Sequence, residues 1–419
     1  MAAQMNRRIF GMLTKRLDEA VFDQVEDRRD DRGKRWPLTS LLRAVVGAMI
    51  SGSQSLSDVE ALTERLSRPV RGLLGVRRRL PDTTLRSGLC GVEPWQVVPA
   101  LHAVVRRAQR RKSLEPSELP FGVVSLDGKA FSIPAADDWY AQRQTQGEGK
   151  PLMGVVRSIT ATLTSSAARP IIDVTPVPAF TNEMGAFETA LDSVCGAYNG
   201  LFQLVTYDAG ACSAHNAALV RARDKHYLFG LTASQPTLLE EAQRWLGSRD
   251  ATEADATSED LERGCKVIRR LFLGDAIAAP DGWQHLRTVL RIQTQVFDAT
   301  TGEEKSKDDR YLISSLPKSR LTLQNWLLVS RRHWGVETSH QILDTAFEED
   351  DHPWIESHPR AALVVSILRR IAVALLALFR SVTQRSEQRR AVPWKALMTD
   401  CFFALVSTTA AELASPNTC

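Results

Sequence analysis

The sequence predicts an α/β protein in which a mixed sheet, with helices on its faces, is flanked by helical N-terminal and C-terminal regions. Three observations carry this expectation. Between residues 119 and 231, runs rich in β-branched and aromatic residues, bounded by Pro and Gly, alternate with helix-like stretches. One of these runs, "LFQLVTYDAG" (201–210), is almost continuously apolar, as a strand buried on both faces must be. Before residue 112 and after residue 322, apolar residues instead recur at three- and four-residue intervals.

In chain order, "PLTSLLRAVVGAMISG" and "SLSDVEALTERLSRPVRGLLG" read as amphipathic helices with Ser and Thr placed as caps. "LPFGVVSLDGKAFSI", "VVRSITATLTSS" and "PIIDVTPVPAF" read as strands, followed by a helix at about 182–198 and the apolar strand ending in Asp-Ala-Gly. A helix (213–224), a strand "HYLFGL" and a helix (237–246) continue the pattern. The polar, acidic stretch 247–264 reads as an exposed linker. "KVIRRLFL", "QHLRTVLRIQTQVFD" and "RYLISSL" read as strands, two of them joined by a hairpin-like "DATTGEEKSKDD". The expected organisation is a helical, basic region over 1–115, a first core part over 116–246, an inserted β-rich segment over 247–318, core helices over 319–382 and a helical tail over 383–419.

Composition narrows the function classes. Apolar content of 43% and charged content of 24% are those of an ordinary soluble chain. No apolar N-terminal leader is evident, and the greasiest run, "AALVVSILRRIAVALLALF" (361–379), carries Arg369 and Arg370 at its centre, which predicts a buried helix and no membrane span. The six cysteines lie far apart without a CxxC pair, the pattern of reduced cytoplasmic thiols. Residues 1–112 hold 22 Lys/Arg against 12 Asp/Glu, a net of +10 against +4 for the whole chain, so the N-terminal part is the candidate for contact with a polyanion. A solvated, arginine-rich helical surface accounts for the same charge.

Two acids sit where carboxylates do chemistry. Asp127 is expected to end the strand "FGVVSLDGK", with Gly128 turning the chain, and Asp208 ends "LFQLVTYDAG". A strand-terminal Asp also serves as a turn former or cap. Farther on, helical spacing puts His333, Glu337, His340 or Gln341, Asp344 and Glu348 along one face. Glu337 differs from its neighbours because it follows the aromatic approach "HWGV", while the acids 348–351 read as an exposed helix end. Trp334 reads as a core anchor. "HWGVETSH" fails the HExxH spacing of a zinc protease, and no GxSxG elbow is present.

The segments "DRRDDRGKRWPLTSLLRAVVGAMISGSQSLSDVEA", "SLDGKAF", "NEMGAFETALDSV", "LVTYDAGACSAHNAALVRARDKHYLFGLTASQP", "RYLISSL" and "RRHWGVE…LDTAFEEDDHPW" occur in the order found in DDE transposases of bacterial insertion sequences. The chain resembles the branch that includes the H-repeat-associated proteins, over roughly residues 25–380. The resemblance implies an RNase-H-like catalytic core with Asp127, Asp208 and Glu337 as the metal-binding triad. It further implies two Mg²⁺ ions per active site, replaceable by Mn²⁺, acting on double-stranded DNA at element ends and target. A homodimer in the DNA complex and a cytoplasmic, nucleoid-associated location follow from the same likeness. Lys129, Arg331 and His333 are its candidate DNA-binding residues.

The chain departs from the family pattern at Thr232 and Ser234, where a lysine and an asparagine are usual, and at "GCK" (264–266) in place of His-Gly-Arg. It is also one residue shorter between Glu337 and "LD". Besides an active transposase, the residues therefore leave open a DNA-binding relative that no longer cuts, and a nuclease built on the same core.

Overall fold

The computed structural model describes residues 2–31, 34–134, 137–145, 147, 149–275, 282–383 and 390–414. Six helices come first: α1 (Ala2–Glu19), α2 (Leu38–Ile50), α3 (Leu56–Arg65), α4 (Arg68–Leu74), α5 (Asp82–Cys90) and α6 (Pro94–Arg110). Local chemistry sets their ends. The Ser55 hydroxyl accepts from the Asp58 amide to start α3, and Gly75, at φ 69°, closes α4 in the left-handed conformation.

The sheet follows: β1 (Val123–Ile133), β2 (Ala141–Thr145), β3 (Leu152–Leu163), β4 (Ile171–Val177), α7 (Glu183–Tyr198), β5 (Leu204–Tyr207), α8 (Ala214–Ala222), β6 (His226–Leu231) and α9 (Pro236–Leu246). It then extends through β7 (Ala256–Glu262), β8 (Cys265–Asp275), β9 (Thr288–Asp298) and β10 (Glu304–Ser314). The strand order is β2-β3-β1-β5-β6-β10-β9-β8-β7, with β4 also paired to β3. Strand β1 is antiparallel to β3 and parallel to β5, β5 is parallel to β6, and β6 is antiparallel to β10. This is the expected mixed sheet, with helices at both ends of the chain.

Three expectations change. The stretch 247–264 is no plain linker, because Ala256–Glu262 pairs with β8 as an edge strand. Asp127 does not end its strand: β1 runs on to Ile133, with Asp127 opposite Thr160. The helix expected to carry His333 through Glu348 is two helices, α10 (Leu323–Arg332) and α11 (Gly335–Thr345), broken at His333 and Trp334.

The long apolar run forms α12 (Pro359–Leu378), and every residue of it except Arg360 is buried. It is long and apolar enough to cross a membrane, yet its apolar window lies wholly inside the fold, against α2, α6 and β4. Each buried Leu, Ile or Val contributes roughly 1.5–3 kcal/mol. The helix α13 (Trp394–Ser407) packs on α1 and α2, and Asn6 donates a hydrogen bond to Ser407.

The two arginines inside α12 explain the acids after α11. The chain turns at Glu348, which has φ 51°, and sends Glu349 into the core instead of solvent. Its carboxylate lies 2.8 Å from the Arg370 guanidinium and 4.0 Å from that of Arg369, all three groups being almost fully buried. Burial alone would raise the Glu349 carboxyl, but Arg370, Arg369 and Lys129 outweigh it and hold it below the usual range. Removing one member of such a buried set leaves charge uncompensated. Glu349→Ala is expected to lower stability in urea unfolding by about 3–5 kcal/mol. Glu348→Ala, which breaks a surface pair with Lys395, is expected to change it by no more than about 1 kcal/mol.

Candidate active site

The parallel pairing of β1 with β5 ends at Ser125 and Thr206, so the sheet opens beyond that pair. Asp127 and Asp208 each lie two residues farther along. Side chains two apart share a face, and the Thr206 hydroxyl donates to that of Ser125 over 2.8 Å, which identifies that face. The two acids therefore flank the opening side by side. Asp208 caps the short turn that follows, its Oδ1 accepting from the Gly210 amide at 2.9 Å.

The same face receives the α10–α11 break. His333 is buried, and its Nδ1 lies 3.0 Å from the Thr206 hydroxyl. Because Thr206 donates its single proton to Ser125, the imidazole donates from Nδ1. Ser125 in turn meets the Thr164 hydroxyl at 2.9 Å, and Thr162 donates to Ser339 on α11 at 3.2 Å. Gly335 permits this approach, since a Cβ there would sit 2.9 Å from the Thr164 methyl. Glu337 follows in the first turn of α11, facing the same opening.

The electrostatics match a crowd of acids. The Asp208 carboxyl is raised by burial and by Asp127, partly offset by the Gly210 and Ala211 amides. Glu337 is raised by burial, then by Asp127 and Asp208, with Arg310 opposing. A fourth acid that sequence reading did not single out, Glu183 at the start of α7, is raised by burial, Asp127 and Asp208. His340 on α11 places Nδ1 3.3 Å from Asp127 Oδ2. All four donors are carboxylates, the hard oxygen ligands that Mg²⁺ and Mn²⁺ prefer. Among the described residues, however, no three such side chains already stand close enough to share one ion. The residues suit the ions in chemistry, and their side chains are not yet gathered around one.

The expected DNA-binding residues are largely engaged within the chain. The buried Lys129 ammonium is held at 2.6 Å from Asp344 and 3.0 Å from Asp350. Arg331 pairs with Asp260 at 2.9 Å and Glu262 at 3.4 Å on β7. His333 supports the sheet as described. Trp334 is not a core anchor: it is 39% exposed, with the Arg310 guanidinium 4.2 Å above its ring. Beside Asp208, a cleft of about 1310 Å³ opens between β6, α9 and the β9–β10 strands, lined by Thr232, Arg269, Arg310, Arg331 and Trp334 among others. Thr232 and Ser234 stand exposed near it, their hydroxyls 3.3 Å apart. Residues 264–266 span the end of the β7–β8 turn, where exposed Gly264 takes φ 78°, and the half-buried start of β8 at Cys265 and Lys266.

Residues 19–104 match the family model described as DDE_Tnp_1-associated. The match links the helices α2 to α6 with DDE-type transposases and stops short of the sheet. No curated protein matches the chain.

Burial pushes the His333 imidazole down to about 4, with Arg310 adding to the effect and Asp127 opposing it. Between that value and the ordinary 6.5, the unfolded chain binds a proton that the folded chain refuses, so this residue makes stability rise with pH across the window. Urea unfolding at pH 7 and pH 4.5 is expected to show a smaller pH-linked loss in His333→Gln than in the wild type.

Proposed function

We propose that the chain is a transposase that cleaves DNA at the ends of an insertion sequence and joins those ends to a target, with Asp127, Asp208 and Glu337 holding two divalent cations, Mg²⁺ or Mn²⁺. The observation that carries the reading is the common register of Asp127 and Asp208 at the opening of the sheet, with Glu337 delivered to it from α11. Three antiparallel strands (β4, β3, β1) followed by two parallel ones (β5, β6) support the reading of an RNase-H-like core, with β7–β10, between the second acid and the third, as its insertion. The family match of the N-terminal helices supports the same class.

Bound cations supply Lewis-acid assistance at the attacking and leaving oxygens of a phosphodiester. The chain's own part is placement. The Ser125–Thr206–His333 ladder fixes α11 relative to both strands, so that Glu337 meets the two aspartates in a set orientation. His340 orients the Asp127 carboxylate. Arg310 and the exposed face of Trp334 line the cleft beside Asp208 and would contact the DNA backbone and bases entering it. The basic N-terminal helices would hold the flanking duplex. Two ends must be brought together, so a homodimer acting on nucleoid DNA in the cytoplasm is the proposed working unit.

A second reading, a DNA-binding relative that does not cut, draws on the internal pairing of Lys129 and Arg331 and on the uncharged Thr232 and Ser234 near the cleft. An excision assay separates the two, with a marker placed between the gene's own flanking ends. The wild type is expected to excise it. Asp208→Asn is expected to lower excision by more than about 100-fold, since even ligand-supporting residues cost 10–100-fold. Failure of the wild type to excise, with the purified protein still retaining those ends on a gel, would favour the relative.

A further inference from the structure

Glu183 is absorbed by neither the triad nor any ion pair within 4 Å among the described residues, yet the fold reserves space for it. Along β1, Gly128 faces away from the Asp127 side, toward α7. A Cβ built on Gly128 would fall 1.9 Å from the Glu183 Cδ and 2.0 and 2.1 Å from its two oxygens. Only glycine leaves that volume free, and the volume is filled by a carboxylate. Because β1 and β5 no longer pair beyond Ser125 and Thr206, the space over Gly128 communicates with the opening flanked by Asp127 and Asp208.

A second observation points to the same place. Tyr207 precedes Asp208 and, one residue from Thr206, faces the α7 side, where its ring meets Phe187 at 5.5 Å. It is 2% exposed, and its buried hydroxyl has no hydrogen-bond partner among the described residues. The charges that act on that hydroxyl are Glu183, Asp208 and Asp127. An orphaned phenol among three carboxylates is costly unless a ligand or its water completes the set.

We infer that Glu183 is a fourth metal-ligating carboxylate, contributing an oxygen from the α7 face to the cation held between Asp127 and Asp208, with the Tyr207 hydroxyl bonding to a carboxylate or water of that ion. The inference rests on the metal-dependent reading given above. Glu337 acts from the other face, so the ion on the Asp127–Asp208 side would be enclosed from both.

The test is Mn²⁺ binding by the purified full chain, followed by the electron paramagnetic resonance of free Mn²⁺, for the wild type, Asp208→Asn, Glu183→Gln, Gly128→Ala and the Gly128→Ala/Glu183→Gln double variant. Glu183→Gln is expected to weaken binding by about 10-fold or more. Gly128→Ala is expected to do the same by displacing the carboxylate, and the double variant to be no weaker than either single one. Thermal unfolding should stay close to wild type, because the group displaced is the free end of a flexible side chain. Wild-type affinity in Glu183→Gln, with binding lost in Asp208→Asn, would overturn the role of Glu183 and leave the triad standing. No Mn²⁺ binding by the wild type would overturn both.

Discussion

The geometry of the candidate site depends on one chain of short hydrogen bonds: imidazole to Thr206, Thr206 to Ser125, Ser125 to Thr164. It ties the end of β5 to β1, β1 to the close of β3, and all three to the break between α10 and α11. Every member is buried, so each would carry a desolvation penalty if left unpaired. That penalty makes the arrangement specific. A helix shifted by one residue would bring a different group to Thr206 and leave the hydroxyls unsatisfied, and Glu337 would no longer face the aspartates.

Around that anchor, charge is segregated by function. The buried Glu349–Arg370–Arg369 set, and Lys129 held against the partly exposed Asp344 and Asp350, match opposite charges within the chain, and Arg370 also reaches Thr160 and Ser158 of β3 from α12. The carboxylates at the sheet opening are not matched in this way. Burial and mutual repulsion raise Asp208, Glu337 and Glu183 alike, and the arginines that oppose this act at longer range. A fold that sets two arginines against Glu349 leaves Asp208, Glu337 and Glu183, among the described residues, without a cation within 4 Å, the condition of the cation site proposed above.

Much of this was legible in the sequence because the central strands are apolar and bounded by turn residues, and because Asp127 and Asp208 interrupt otherwise greasy runs. Two strands escaped the sequence reading for one physical cause. Both Ala141–Thr145 and Ala256–Glu262 are outer strands with polar, exposed side chains, so they show no apolar alternation to read. The break at His333 is hidden because apolar spacing continues across it. Glu349 sits in an acidic run that looks solvated, and only the two arginines stranded in the middle of an apolar helix signal a buried counter-charge. Glu183, following Asn182 at a helix start, looks like ordinary first-turn chemistry until Gly128 is brought beside it by the fold.

The closeness of the chain's two ends has its own consequence. Helices α2 and α6 pack against α12, and α1 against α13, so the first hundred residues are stabilised in part by segments some 250 or more positions later. A nascent chain emerging from the ribosome would present those basic helices with their apolar faces uncovered until α12 and α13 had been made. Products that stop short of α12 would then be substrates for chaperones and proteases.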